Sequence, residues 1–149
     1  MDLRVEMDRN RIQTVVLELK DNLFDKTLTN RKLIKLSEKF ANNATFLVGT
    51  EDVVVAGYVA FYCNDTVNRK AFISIVVIHH KYQHRGLGRL LIEEVCAIAQ
   101  NAGMVSVGLQ VAKSNIGAIT FYKKHDFIIV AESECQYNME KQLNFRADN

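Results

Sequence analysis

Alternating and helical patterns of apolar residues follow one another along this chain in an order typical of a mixed α/β sheet. Leu3, Val5 and Met7 alternate with polar residues and indicate a short first strand, after which apolar spacings of three and four predict two helices. The segment TFLVGTEDVVVAGYVAFYC predicts a hairpin that turns near Glu51 and Asp52. The run KAFISIVVIHH is so apolar that we expect a strand covered on both faces.

The second half of the pattern completes the series with two helices and three strands. A helical spacing follows the segment QHRGLGR, and MVSVGLQV, FIIVAE and CQYNMEKQL read as strands. Thr29 or Asn30 is the expected cap of the second helix and Ser114 that of the fourth. The predicted order is β-α-α-β-β-β-α-β-α-β-β. We therefore predict one domain over residues 1–149, of class α/β (α+β), with a mixed, mostly antiparallel sheet of about seven strands flanked by four helices.

Composition and charge narrow the class of protein. A net charge of +2 is too small to indicate a nucleic-acid or membrane partner, and no run of about 18 apolar residues predicts a membrane span. The first residues are charged, unlike a signal peptide. Cys63, Cys96 and Cys135 are odd in number and far apart, so we expect reduced thiols in a cytoplasmic protein rather than a disulfide framework or a zinc site.

The segment QHRGLGR has the chemistry of an anion site. It joins a strand to the start of a helix, whose first turn has free N–H groups and a partial positive charge. Gly86 and Gly88 allow the backbone to approach an anion, and Arg85 and Arg89 add positive charge that suits a phosphate. The segment therefore predicts a loop that holds a pyrophosphate.

Two better-known phosphate loops do not fit the same residues. A Walker loop ends in Gly-Lys-Ser/Thr, whereas Arg89 and Leu90 follow Gly88 here. The dinucleotide fingerprint needs a third glycine where this chain has Leu91. The remaining alternative is an ordinary strand-to-helix turn.

Two motifs together carry a resemblance to a known superfamily. Gln83, Gly86 and Gly88 fill the fixed positions of the pattern Q/R-x-x-G-x-G/A, and LQVAKSNIGAITFYKKHDF supplies a strand, an Asn and a Tyr-bearing helix at residues 109–127. Over roughly residues 44–140 the chain resembles the GNAT superfamily of acyl-CoA-dependent N-acyltransferases. The resemblance implies a GNAT-like sheet that is splayed between its fourth and fifth strands.

The resemblance also implies an activity and a cofactor site. The expected reaction moves an acetyl group from acetyl-CoA to a primary amine by direct attack in a ternary complex, with no metal and no acyl-enzyme. The strand end would bind the pantetheine arm, the amides of His84 to Arg89 would hold the pyrophosphate, and Tyr122 would protonate the departing thiolate. The implied cofactor-binding residues are Val76, Val77, Ile78, Gln83, His84, Arg85, Gly86, Leu87, Gly88, Arg89, Asn115 and Tyr122. The structural alternatives are a helix cap for Asn115 and a core position for Tyr122.

The chain departs from the family where a general base is usual. Phe72 and Gln110 stand at the positions where many relatives have a glutamate, and neither can accept a proton. If strand alternation holds, Ser74 shares a face with Phe72 and could order a water that takes the proton. Other options are an acceptor amine that arrives neutral, or one of the carboxylates Asp25, Glu132 and Glu134. We therefore take Tyr122 and Ser74 as the candidate catalytic residues.

Further features leave the class of partner open. The histidines are expected to be surface residues rather than metal ligands, because no carboxylate or thiolate is spaced to complete a site; they are His79, His80, His84 and His125. The alternatives to an enzyme are a non-catalytic acyl-CoA-binding or sensor module and an interaction domain. A monomer and a homodimer are both compatible with the sequence.

The acceptor is expected to be a small-molecule or peptide amine, and its site is expected to be formed by three segments that contain no motif for a particular amine. These are the loop near residues 22–30, the strand that carries Tyr58 and Tyr62, and the hairpin at 132–137. Asp126 stands where the family usually has a glycine, and aspartate tolerates left-handed geometry better than most residues.

Overall fold

Within residues 1–143, seven strands and four α-helices follow one another in the order that the apolar pattern predicts. The protein is described here by a computed structural model, which covers residues 1–143; residues 144–149 of the predicted domain lie outside the described residues. The elements are β1 (Asp2–Val5), α1 (Arg9–Glu18), α2 (Asn30–Asn43), β2 (Thr45–Glu51), β3 (Val54–Tyr62), β4 (Lys70–Ile78), α3 (Leu87–Asn101), β5 (Ser106–Ala112), α4 (Ile116–Lys124), β6 (Ile128–Glu132) and β7 (Gln136–Gln142).

The strands form one sheet in the order β1-β2-β3-β4-β5-β7-β6. All neighbours are antiparallel except β4 and β5, which confirms the mixed, mostly antiparallel sheet. The parallel pair is short: it joins Lys70–Ile73 to Ser106–Leu109 and then ends, although both strands continue. The sheet therefore opens between β4 and β5.

Two hydrophobic clusters cover opposite faces of the sheet. The first contains α3 and residues such as Val59 and Phe61, and it continues under β5 and β7 to Met139. The second contains α1 and α2 on β2 and β3, with Tyr58 at its centre, and includes no residue of β5, β6 or β7 among the described residues. Because each fully buried large side chain contributes about 1.5–3 kcal/mol, these two layers supply much of the fold's stability. The α1–α2 face of the C-terminal strands stays open.

Side-chain caps fix where the helices begin. Thr29 caps α2 by accepting a hydrogen bond from the Lys32 N–H at 3.2 Å, as expected. The prediction of Ser114 as the cap of α4 is wrong, because the Asn115 side chain accepts from the Ala118 N–H at 3.2 Å. No helix within residues 1–143 has the length and apolar character needed to cross a membrane.

A β-bulge in β4 changes which side chains face each layer. Phe61 pairs with Ile73 and Ala60 with Ile75, so Ser74 is the extra residue. Ile73 therefore packs in the α3 cluster, whereas Ile75 packs against the α1–α2 cluster. The expectation that both faces of this strand are covered is wrong, since Phe72 is 41% exposed and Ser74 is exposed.

Left-handed residues close two of the turns. Asp52 and Val53, with φ of 48° and 63°, turn the β2–β3 hairpin close to the predicted position. Asp126 has φ of 72° after α4, so it adopts the left-handed geometry that the family usually gives to glycine.

Candidate active site

A cleft of about 560 Å³ lies where β4 and β5 separate. One wall is the free edge of β4 from Ser74 to Val77, and the opposite wall is β5 from Leu109 to Ala112. The helix α4 and the loop before α2 close the remaining sides. From these elements the cleft is lined by Asn115, Ala118, Tyr122, Leu23, Phe24, Asp25, Lys26 and Leu28, and Gln136 of β7 completes it.

The predicted phosphate loop follows β4 and opens α3. Gly86 has φ of 85° and is the residue before the helix, a conformation that favours glycine. The first hydrogen bond of α3 runs from the Leu90 N–H to the Gly86 carbonyl oxygen at 3.1 Å. The N–H groups of Leu87, Gly88 and Arg89 precede this bond, so the helix itself does not use them. They are therefore available to donate to a ligand.

Two side chains of the loop attach it to the sheet. Gln83 Nε2 donates to the Ile78 carbonyl oxygen at 3.2 Å. Leu87 is 1% exposed and fills a gap over Gly49 and Gly57, which pair directly with each other on β2 and β3. A Cβ on either glycine would lie within about 3 Å of a Leu87 methyl group, at 2.9 Å and 3.1 Å respectively. The side chains of Gln83 and Leu87, two of the predicted cofactor-binding residues, thus hold the loop in place. Only their main-chain groups remain available to a ligand.

The two arginines of the loop lie at its surface in contact with carboxylates. Arg85 is 3.6 Å from Glu51, and Arg89 is 3.0 Å from Glu93. Exposed pairs of this kind contribute about 0–1 kcal/mol, so either guanidinium can turn to an anion at little cost.

Gly88 has a packing role that its place in the motif did not reveal. A Cβ at this position would lie 3.2 Å from two ring carbons of Phe121 on α4. Glycine therefore lets the first turn of α3 approach α4 closely. Tyr122, the candidate acid, follows Phe121 directly on α4. The contact between Gly88 and Phe121 therefore links the phosphate loop to the helix that carries Tyr122.

Tyr122 lines the cleft, and its ring packs between two phenylalanine rings. Phe127 and Phe121 contact the ring edge-to-face, with centroids 5.5 Å and 5.4 Å away. Burial raises the pKa of Tyr122 to about 12, so the phenol is protonated at neutral pH. Asn115 also lines the cleft, and its cap uses the side-chain oxygen. The NH2 group of that side chain is thus a further donor available at the cleft.

The predicted proton route is only partly brought together. Ser74 and Gln110 line the cleft, but the bulge at Ser74 interrupts the alternation, and Phe72 lies outside the cleft. Asp25 lines the cleft, yet hydrogen bonds from the Thr27 hydroxyl and N–H lower its pKa, which makes it a weaker base.

The other two carboxylates named from the sequence lie apart from the site. Neither Glu132 nor Glu134 lines the cleft. Glu132 contacts Lys113 Nζ at 2.5 Å, and this hydrogen bond raises the pKa of Lys113. The strand β6 carries Glu132 along the outer edge of the sheet, which explains why it does not reach the cleft.

A second cavity of about 360 Å³, here called the side cavity, adjoins the cleft on the open α1–α2 face of the sheet. Gln110 lines both, and Phe72 and Tyr62 line the side cavity. Sequence reasoning missed Glu140, which also lies there, because only the β5–β7 register brings it opposite Gly108. The side cavity is lined by Tyr62, Asn64, Asp65, Lys70, Ala71, Phe72, Gly108, Leu109, Gln110, Val130, Asn138, Met139 and Glu140.

The strand β3 was expected to help form the acceptor site, and of the two tyrosines that identified it, Tyr58 lines neither cavity. It is fully buried and stacks on Phe46 with ring centroids 4.9 Å apart. Because side chains alternate along β3, Tyr58 points beneath α1 and α2, whereas Tyr62 lies far enough along the strand to reach the side cavity.

His79 and His80 stack on each other, with ring centroids 4.5 Å apart. Within residues 1–143, no three His, Cys, Asp or Glu side chains are grouped so that they could hold a metal ion. His79 Nδ1 accepts a hydrogen bond from the Lys81 N–H at 3.1 Å. Cys63, Cys96 and Cys135 are free thiols.

Comparison with known proteins gives one consistent family. The sequence model of the acetyltransferase (GNAT) family matches residues 14–127. A curated relative, the ribosomal protein bS18 alanine N-acetyltransferase of Salmonella typhimurium, is 32% identical over 68 residues, which are 46% of this chain and 46% of that protein. The matched stretch thus spans about half the length of that relative.

Solved structures share the fold across nearly the whole chain. The PaiA N-acetyltransferase of Thermoplasma acidophilum, determined in complex with coenzyme A, has a TM-score of 0.77 and 17% identity over 95% of this chain and 99% of its own. Ard1 of Thermoplasma volcanium has a TM-score of 0.77 and 22% identity, with 97% and 98% covered. At these identities the likeness concerns the fold.

Proposed function

This chain belongs to the acetyltransferase (GNAT) family, and from that membership we propose that it transfers an acetyl group from acetyl-CoA to a primary amine. One observation carries the proposal: the free edge of β4 and Tyr122 line the same cleft, beyond the phosphate loop. A thioester arm laid along that edge would bring its sulfur to the phenol.

Several features support acetyl-CoA as the co-substrate. Beyond Ile73, the edge of β4 that faces β5 has no strand partner within residues 1–143, so the backbone groups that point to this edge along the predicted stretch Val76, Val77 and Ile78 can pair with the amides of a pantetheine arm, apart from the Ile78 carbonyl oxygen that accepts from Gln83. The amides from His84 to Arg89 lie at the start of α3, where an anion such as the pyrophosphate is favoured. Asn115 provides a side-chain amide at the cleft wall.

The proposed reaction is direct attack within a ternary complex. The amine nitrogen forms a bond to the thioester carbon while the C–S bond breaks, and a backbone N–H near Val76 stabilises the charge that develops on the oxygen. Tyr122 donates its hydroxyl hydrogen toward the departing sulfur. We assign no acyl-enzyme, since none of the free cysteines lines the cleft among the described residues.

The proton that the amine must lose is assigned to water. Ser74 lies at the bulge with its side chain exposed in the cleft and can orient such a water. Asp25 is the less suitable base, because a lowered pKa reduces its affinity for a proton. An acceptor that arrives neutral would need neither group.

A second candidate function is an acyl-CoA-binding module without turnover. The absence of a carboxylate at Phe72 and Gln110 favours it. It shares the cofactor site and differs only in the chemical step. For either function we propose a cytoplasmic location and no nucleic-acid partner, which the free thiols and the net charge of +2 support.

The test measures binding and turnover separately. Titration calorimetry with acetyl-CoA should give a Kd in the micromolar range, and the double variant Arg85→Gln, Arg89→Gln should weaken it about tenfold or more, because two charge-assisted contacts to phosphate are lost. Arg31→Gln, on the exposed surface of α2, is the matched control. No binding by the unaltered protein would contradict the proposal.

Turnover is then followed by chromatography of free CoA in a panel of primary amines. A thiol reagent is unsuitable because Cys135 is exposed and would react. Binding without CoA release from any amine would favour the module that only binds acyl-CoA.

A further inference from the structure

The side cavity has an open floor that packing does not require. Phe72 pairs with Gly108 on one side, and Gly108 pairs with Glu140 on the other. A Cβ at Gly108 would meet only the carbonyl oxygens of Met139 and Ala71, at 3.7 Å and 3.9 Å, which are ordinary contacts. The glycine therefore leaves room between an aromatic ring and a carboxylate rather than avoiding a clash.

The lining of the side cavity combines exposed apolar side chains with polar and charged ones. Phe72 and Val130 both line the side cavity and are 41% and 53% exposed. The hydroxyl of Tyr62 is buried without a hydrogen-bond partner in the described part of the chain. Glu140 is 19% exposed and is 3.7 Å from Lys70 Nζ, whose own side chain is 56% exposed. Because this ion pair is long and its lysine is exposed, another cation can replace Lys70 beside Glu140.

Glu140 is the carboxylate of this cavity that is best placed for a ligand. Asp65 also lines it, but its two oxygens accept hydrogen bonds from the N–H and Nδ2 of Asn68, at 2.9 Å and 3.2 Å. Glu140 accepts one such bond, from Gln142 Nε2 at 3.2 Å.

The side cavity meets the cleft at Gln110. Gln110 pairs with Asn138, and Glu140 is two residues further along β7. From strand geometry this places Glu140 about 7 Å along the sheet and about 5 Å across from Gln110. A chain of a few methylene groups spans such a separation and would lie against Phe72.

We propose that the acceptor is a primary amine with a second positive charge at the far end of an apolar chain, and that the side cavity binds this far end through Glu140. The reacting amine lies in the cleft beside Ser74. This inference rests on the proposed function for the place of the reacting amine, but its test does not need turnover.

The test is calorimetric titration of the CoA-saturated protein with diaminopentane and with pentylamine, which differ only in the second amine. We expect the diamine to bind roughly tenfold tighter, the magnitude of one hydrogen bond to a charged group. In Glu140→Gln that preference should disappear while pentylamine binds as before, which separates a lost contact from a misfolded protein. Glu38→Gln, an exposed carboxylate that lines neither cavity, should keep the preference.

A second variant tests the space instead of the charge. Gly108→Val adds a side chain to the floor that the backbone can accommodate, and it should remove the diamine preference as well. Equal affinities for the two amines, including no binding of either, would overturn the inference, as would a preference that survives Glu140→Gln. A diamine preference without CoA release would instead retain the inference and contradict the transferase proposal.

Discussion

Replacing Tyr122 by phenylalanine isolates the chemical step from cofactor binding. The ring contacts to Phe121 and Phe127 remain, and within residues 1–143 the hydroxyl makes no hydrogen bond that the variant would lose. We therefore expect an unchanged melting temperature and an unchanged Kd for acetyl-CoA, with the loss confined to kcat.

The raised pKa sets the size of that loss. Burial raises the pKa of Tyr122 to about 12, whereas a thiol has a pKa near 8.5, so complete proton transfer from the phenol to the thiolate is unfavourable by three to four powers of ten. Tyr122 then acts mainly as a hydrogen-bond donor to the developing thiolate. We expect a fall in kcat of about a hundredfold, ~2.7 kcal/mol, at the low end of general-acid contributions.

Steady-state release of CoA from saturating acetyl-CoA and amine, at several pH values, is the assay. Because Tyr122 stays protonated, the unaltered enzyme should keep its rate through pH values near 10, where an ordinary tyrosine would be half ionised. Tyr58→Phe, the same change at a buried position outside both cavities, is the control. A kcat within twofold of the unaltered enzyme in Tyr122→Phe would remove this residue from the mechanism.

Three further changes test the scaffold. Val53→Gly should raise the free energy of unfolding by about 1 kcal/mol in urea titration, since a β-branched residue at φ of 63° is strained in a hairpin turn; no gain would mean that the turn relaxes. Gly88→Val should shift the Phe121 ring and lower kcat as well as CoA affinity, and a loss of affinity alone would contradict the helix contact. Leu87→Ala should cost about 2–5 kcal/mol of stability because it empties a buried site, and a smaller change would show that the site collapses.

The sequence predicts the elements well because each has a local signal. The apolar periods place all seven strands and four helices in order, and the turn residues mark the hairpin near Asp52. The strand end, the loop and Tyr122 could be named because two local motifs carry them. Their direct roles in binding and catalysis remain predictions.

What the sequence does not reveal depends on register and on contacts between distant segments. The bulge at Ser74 is visible only from the pairing of β3 with β4, and it separates two side chains that simple alternation would place together. Glu140 escapes notice because no motif surrounds it, and its position is set by its pairing with Gly108. Likewise, the contact that requires glycine at position 88 is made by a helix more than thirty residues away.

Only four residue pairs join β4 to β5 in the described part of the chain, so the two parts of the sheet are connected by a short seam. Strands β1 to β4, with α1 and α2, lie on one side of this short pairing, and β5, β7 and β6 lie on the other. Helix α3 contacts β2, β3, β4 and β5 and so packs across both parts. Amide hydrogens near such a seam exchange with solvent sooner than those in a continuous sheet. A ligand that bonds to the free edge of β4 would supply part of the pairing that β5 does not provide beyond Ile73.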